Sequence, residues 1–547
     1  MRKLLPYTLS TLALAPLMAE SAVQTAENSL QQFQQQSRDQ LNQIQQSRQQ
    51  QWVKQHQFQS TNSTASTADF STACLPYTEL KLVGFHLIDP TPFAPQKGEC
   101  LNENRLNQLS KAITAAYLKQ GYIHNPFHFE DDQSGALTLR VIEGKVTKLT
   151  TDSPLLNLDM LFPNIIGKPL KVEVLDQGLD QANKMAGSSV SVDVLPAKNG
   201  DIELAFVNKD PKRVTGAIKL DNTASKIYHR WQTKFALNID SPLGLSDSLY
   251  LSGSHTLSSR SQFSRSLTLF HSLPYGKLSV NSFLSFSQFQ TQVKLPHNNV
   301  EQKGRTWQAG LKFDYLLHRG QNHITTAGVQ LERIHSKSLF DNSLLNLQSP
   351  TLTTVQTNLN HLQLFENASL MFDLSYERGL KWWNSWANKG RDQPEGQFNK
   401  WNASLQFDKY TAWQSQIFKQ THRLNAQYSH NYLAGIKQND LLGRYAVRGF
   451  NDLSLSAEKN AVLQNTFSWI KNYQQWQFEP YLLLDMGIQK ENSPHANSQR
   501  ALSYGTGIKL QYSKLSAQLE WAKGRLFRVD LPTRKENTLY AGLSWYF

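Results

Sequence analysis

From about residue 211 to residue 547, apolar and polar residues alternate in short runs. In "RWQTKFALNID", Trp231, Thr233, Phe235, Leu237 and Ile239 fall on one side, and Gln232, Lys234, Ala236, Asn238 and Asp240 on the other. "NTLYAGLSWYF" repeats the scheme, with Leu539, Ala541, Leu543, Trp545 and Phe547 sharing a face. A period of two is the signature of a strand with two unlike environments. About sixteen such segments lie between "RVTGAIKLDN" and "TLYAGLSWYF", separated by polar turns. An even antiparallel set of tilted strands, each of ~10 residues, closes across a bilayer with no open edge. A soluble sandwich uses the same alternation but rarely runs to so many strands. A 16-stranded antiparallel transmembrane β-barrel is therefore expected over 211–547.

Residues 74–209 carry a different pattern. The run "LKLVGF" precedes "LNENRLNQLSKAITAAYLKQ", where Leu106, Leu109, Ile113, Ala116 and Tyr117 recur at helical spacing. Gly121 follows as a helix stop. Strands are expected near "FHF" and "ALTLRVIEG". The order then recurs: strand "KVTKLTT", a short helix near "LLNLDMLF", helix "KVEVLDQGLDQANKM", and strands "SVSVDVL" and "DIELAFV". Two small α+β units in tandem are expected, at 74–149 and 150–209. "GKVT" lacks the preceding glycines of a phosphate loop, so no nucleotide site is assigned.

Residues 27–58 contain no Gly or Pro and are rich in Gln, a good helix former. Leu30, Leu41 and Trp52 recur at a spacing of about 11, as do Phe33 and Ile44, leaving one thin apolar stripe. As a helix the tract is about 48 Å long. It is either a solvated Gln-rich segment or a helix shaped for a wet, polar cavity. Residues 59–72, "QSTNSTASTADFST", form a flexible linker that reaches on the order of 45 Å when extended. At the start, Arg2 and Lys3, the apolar run from Leu4 to Leu17, and Ala19 read as a secretory signal peptide over 1–19.

Composition narrows the class further. Hydrophobic residues are only 39% of the chain, and no stretch supplies the ~20 apolar residues of a membrane helix. The 27 Phe, 19 Tyr and 12 Trp suit strands with one lipid-facing side. The formal charge of +13 is spread without a compact Lys/Arg block, and no nucleic-acid module is present. A basic lumen or rim accounts for it without nucleic acid. Export places Cys74 and Cys100 in an oxidising compartment, where they are expected to pair. No HExxH, nucleophile elbow or clustered metal ligand occurs among the 15 His, so no catalytic residue, metal or cofactor is assigned.

One cluster breaks the alternation. "RYAVRGF", Arg444 to Phe450, sits in a long connection over 431–459 that falls between the eleventh and twelfth expected strands. Its core, Val447, Arg448, Gly449 and Phe450, resembles the loop motif of the outer-membrane polypeptide-transport superfamily. "DN" (Asp221–Asn222), "DSPLGLSD" (Asp240 to Asp247) and "SLPYG" (Ser272 to Gly276) resemble segments of two-partner secretion transporters, which export haemolysins, filamentous haemagglutinins and contact-dependent toxins. Ser241 stands where Asn is commoner, and Phe450 where Tyr is also frequent. The resemblance covers nearly the whole mature chain. It implies that the α+β units are POTRA (polypeptide-transport-associated) domains and that 27–58 is a plug helix. In "FEPYLLLDMG", alternation points Glu479, Tyr481, Leu483, Asp485 and Gly487 inward. The family's Asp-x-Gly pattern matches Asp485 and Gly487, which implies that Arg448 pairs with Asp485. Gly449 would permit the tight tip this requires.

The function so implied is export of an unfolded exoprotein across the outer membrane of a Gram-negative bacterium, with the POTRA domains in the periplasm. The expected partners are outer-membrane lipid and a secreted exoprotein with an N-terminal secretion domain and a repetitive β-rich body. The transporter itself is expected to be a monomer. A barrel-assembly factor of the same superfamily usually carries more POTRA modules and lacks the plug helix. A passive porin needs no tandem periplasmic units.

Overall fold

The computed structural model describes residues 73–547 apart from 78, 97–98, 132–134, 260, 295–297, 387–392 and 530. The segments read as signal peptide, plug helix and linker (1–19, 27–58 and 59–72) lie outside the described residues. The first α+β unit consists of β1 (Glu79–Val83), α1 (Glu103–Lys119), β2 (Phe127–Asp131) and β3 (Ala136–Val141). Its sheet order is β1-β3-β2, with β1 parallel and β2 antiparallel to the central β3. Asn102 caps α1 by accepting the Arg105 N–H at 2.8 Å, and Gly121 leaves the helix at φ 87°. Leu109, Ile113 and Tyr117 bury one face of α1 against Leu80, Leu137 and Leu139. Cys74 and Cys100 are disulfide-bonded, with their Cα atoms 5.4 Å apart.

The second unit repeats this plan with β4 (Val146–Thr151), α2 (Leu158–Leu161), α3 (Val172–Ala182), β5 (Val190–Pro196) and β6 (Ile202–Asn208), in sheet order β4-β6-β5. The sequence pattern carries α3 on to Met185, but the helix stops at Ala182. The cause is local. Asn183 donates to the Val190 carbonyl (3.0 Å) and accepts the Val190 N–H (2.7 Å), which ties the end of the helix to β5.

The remainder is a closed barrel of 16 antiparallel strands. The first (Val214–Asp221) pairs with the last (Leu531–Tyr546) from Asp221↔Gly542 to Ala217↔Tyr546. Alternation sorts the side chains by environment. On the thirteenth strand (Trp476–Lys490), Leu482, Leu484 and Met486 point outward and exposed, while Tyr481, Leu483 and Asp485 are buried inside. Large exposed apolar side chains encircle the barrel, as a lipid-facing surface requires. The fifth, sixth and seventh strands run to 17, 21 and 18 residues, well beyond the ~10 that cross a bilayer. One end of the barrel has short links, such as Tyr275 to Leu278 and Tyr512 to Leu515. The second α+β unit docks on that end.

Candidate functional site

Residues 429–458, between the eleventh strand (Gln416–Tyr428) and the twelfth (Lys459–Tyr473), fold into the lumen. The stem is a two-stranded ladder in which Asn439–Asp440 pairs with Ser456–Ala457. At the tip, the Val447 N–H donates to the Leu441 carbonyl and the Gly443 N–H to the Val447 carbonyl, both at 3.0 Å. The tip can sit inside because it is apolar. Leu441, Leu442, Ala446, Val447 and Phe450 pack against Val462, Ala501 and Leu526 of the wall.

Arg448 reaches the wall as a fork. Its Nε and Nη2 donate to the two Asp485 carboxylate oxygens, each at 2.7 Å, and its backbone N–H donates to the same group at 3.1 Å. Nη2 also donates to the Asn465 carbonyl (3.0 Å) and to Thr466 Oγ1 (3.1 Å). Asp485 has no exposed surface and accepts further bonds from the Asn465 N–H (3.2 Å) and Ser503 Oγ (3.4 Å). Bidentate, desolvated pairing fixes geometry as well as charge.

Three glycines make this approach possible. A Cβ on Gly487 would stand 2.7 Å from Leu441 Cδ1 and 2.9 Å from Val447 Cγ2, so its bare Cα gives the loop its seat. Gly449 has φ 89°, and its Cβ position lies 2.8 Å from the Gly524 nitrogen on the fifteenth strand (Leu515–Arg528). A Cβ on Gly524 would overlap the Phe450 ring.

Several partners were not legible in the sequence. Arg444 donates to Glu520 at 2.6 Å and lies 3.7 Å over the Tyr540 ring, while Tyr481 donates to the other Glu520 oxygen at 2.7 Å. Glu536 accepts the Asn451 and Asp452 N–H groups at 2.7 and 2.9 Å, and Asp452 pairs with Arg230 of the first connection at 2.9 Å. Inward alternation flags Glu520, but not which loop residue it meets.

The other family-like segments have structural jobs. Asn222 extends the closing seam with its carboxamide, which donates to the Leu539 carbonyl (2.8 Å) and accepts the Ala541 N–H (2.9 Å). The segment from Asp240 to Asp247 joins the second α+β unit to the barrel. Asp240 accepts the Ala186 and Gly187 N–H groups at 3.1 and 2.7 Å, and Ser246 Oγ accepts the Asn157 N–H at 2.7 Å. The Gly276 N–H donates to the Met160 carbonyl at 2.8 Å, and Arg319 donates to Asp180 at 2.7 Å. Phe547 exchanges backbone hydrogen bonds with Gly216 across the seam, at 3.0 and 3.1 Å.

A closed barrel, a loop bonded inside it and tandem α+β units at one end invite comparison with known proteins. Residues 200–510 match the family model for the haemolysin secretion/activation proteins ShlB/FhaC/HecB. The chain belongs to that family. Residues 75–144 of this ShlB/FhaC/HecB member also match the ShlB-type POTRA domain. It is 33% identical over 474 residues to the hemolysin transporter protein HpmB of Proteus mirabilis, covering 83% of each chain. It is 30% identical over 496 residues to the hemolysin transporter protein ShlB of Serratia marcescens, covering 90% of this chain and 89% of the relative. Among solved structures it superposes on CdiB from Escherichia coli with a TM-score of 0.81, covering 94% of this chain and 98% of that one. The identity there is 24%, so that likeness speaks for the fold.

Proposed function

We propose that the protein is the outer-membrane transporter of a two-partner secretion pair. It receives an unfolded exoprotein in the periplasm and passes it through the barrel to the cell surface. The observation that carries this reading is the lumen itself, which is crossed by a polar-anchored loop rather than packed solid. The loop's own ladder pairs with no wall strand among the described residues, so the loop can be released and re-formed without opening the barrel. Both α+β units act as POTRA domains in this reading. Each has edge strands whose outer side pairs with no strand among the described residues, and Val194 and Leu195 on β5 are exposed. An extended cargo segment can add there as a further strand. Residues 27–58 serve as a plug that leaves the lumen for export, with 59–72 as its tether. Folding of the cargo outside supplies direction without a nucleotide. Arg448, Gly449, Asp485 and Gly487 hold the loop, and no residue acts as a catalyst.

The test is co-expression with the exoprotein encoded beside the transporter. The exoprotein should appear in the medium only when the folded transporter is present. Cargo retained in the periplasm beside correctly inserted transporter would overturn the reading. A general loss of other outer-membrane barrels on depletion would point to an assembly factor instead.

A further inference from the structure

The loop is fastened to the wall a second time, far from the VRGF motif. Residues Gly435–Lys437 form a single 3-10 turn on the limb that leaves the eleventh strand. Leu433, Ala434 and Ile436 are buried in an apolar cluster with Ile334, Leu352 and Phe398. Beside them Lys437 enters a group of four buried charges. Its Nζ lies 2.8 Å from Glu332 and 2.5 Å from Glu377, and Lys400 lies 3.0 Å from the other Glu377 oxygen. Lys400 also donates to the Lys437 carbonyl at 3.2 Å, and Gln308 donates to Glu332 at 2.7 Å. All four charged side chains are 8% exposed or less. The wall residues come from the sixth, seventh, ninth and tenth strands, whereas Arg448 and Arg444 bind the thirteenth and fifteenth.

The two fastenings differ physically. Two carboxylates and two ammonium groups balance at the Lys437 end, and removing the lysine leaves a buried pair of like charges beside one cation. Apolar side chains pack beside both fastenings, Leu433, Ala434 and Ile436 at this end and Leu441, Val447 and Phe450 at the tip, so the difference lies in the charges. Arg448, in contrast, lines a cavity of about 340 Å³ whose other walls include Asp408, Lys419, Arg423, Glu479 and Lys509. Asp485 retains backbone and hydroxyl donors when the arginine departs. Water and those donors make release of the tip the cheaper event.

We propose that Lys437 is the fixed anchor of the loop, a positioning residue about which the Arg448-bearing tip swings when the lumen opens. The inference rests on the export reading, but its test uses purified full-length transporter without cargo, so the two can fail separately. Single cysteines are introduced at Ala434 in the anchor and Ala446 in the tip, which are 2% and 4% exposed. The two native cysteines are bonded to each other and do not interfere. Labelling with a maleimide is then timed in detergent on protein shown to be folded by heat-modifiable migration.

The tip cysteine should react at least ~10-fold faster than the anchor cysteine, a difference of about 1.4 kcal/mol in opening. Arg448→Ala should speed the tip and leave the anchor rate unchanged. Lys437→Met should speed the anchor by a similar factor. Lys437→Met combined with Glu332→Gln leaves the Lys400–Glu377 pair, one carboxylate to one ammonium at 3.0 Å, and should slow the anchor again, which a loss of packing alone would not do. Equal rates at the two sites, or Arg448→Ala speeding both together, would show the loop moving as one body and overturn the proposal. An anchor rate unaffected by Lys437→Met would overturn it as well.

Discussion

Arg448→Ala isolates the contribution of the motif. The substitution removes both side-chain bonds to Asp485, at 2.7 Å each, and those to Asn465 and Thr466. A fully buried carboxylate stripped of its partner costs ~3–5 kcal/mol. Asp485 is fully buried, but it keeps donors in the Arg448 N–H (3.1 Å), the Asn465 N–H (3.2 Å) and Ser503 Oγ (3.4 Å). Water can also enter from the adjoining cavity. Those terms reduce the loss in docking of the tip to about 2 kcal/mol, or roughly 30-fold in the ratio of docked to released loop. Asp485→Ala removes the same pair from the other side, and the double variant should be no worse than either single change. A charge-reversed pair, Arg448→Asp with Asp485→Arg, should recover only in part, because the guanidinium would leave the strand in a different geometry. The assay is exported cargo in the medium divided by folded transporter in the membrane, the latter from heat-modifiable migration. Secretion should fall severalfold, because the loop must dock again between transport events, while the barrel still inserts, since no outward-facing residue changes. Normal secretion from Arg448→Ala at normal transporter levels would refute the role of the motif. Additive losses in the double variant would refute the pairing.

Two further outcomes follow from single contacts. Replacing Cys74 and Cys100 by Ser opens a loop with a sequence separation of 26 and should cost the first α+β unit about 3.5 kcal/mol on the chain-entropy model, seen as earlier urea unfolding of that unit with the barrel unaffected. Gly524→Ala places a methyl group where the Phe450 ring lies and should lower secretion, whereas Phe450→Leu on the same background should recover part of it; full activity of Gly524→Ala would mean that the ring does not have to dock there.

The sequence alone determined the parts of this protein that depend on periodicity. A strand facing lipid and water must alternate, so the barrel and the inward set Tyr481, Leu483, Asp485 and Gly487 follow from residue spacing. The apolar face of α1 and its stop at Gly121 follow from helical spacing and the glycine's freedom at positive φ. Across the lumen periodicity says nothing, because a loop has none. That Arg444 meets Glu520, or that Lys437 meets Glu332 and Glu377 more than 100 positions and 50 positions away, depends on how the closed ring brings distant strands round to face one connection. The glycines show the same division. Gly487 and Gly524 read as weak strand residues until the loop is in place, and then they are the only residue type that leaves room for Val447 and Phe450. Lys437 looks like one more surface lysine in the sequence, and tertiary structure alone buries it. Its charge can remain there only because three other chain segments deliver two carboxylates and a second ammonium to the same buried site.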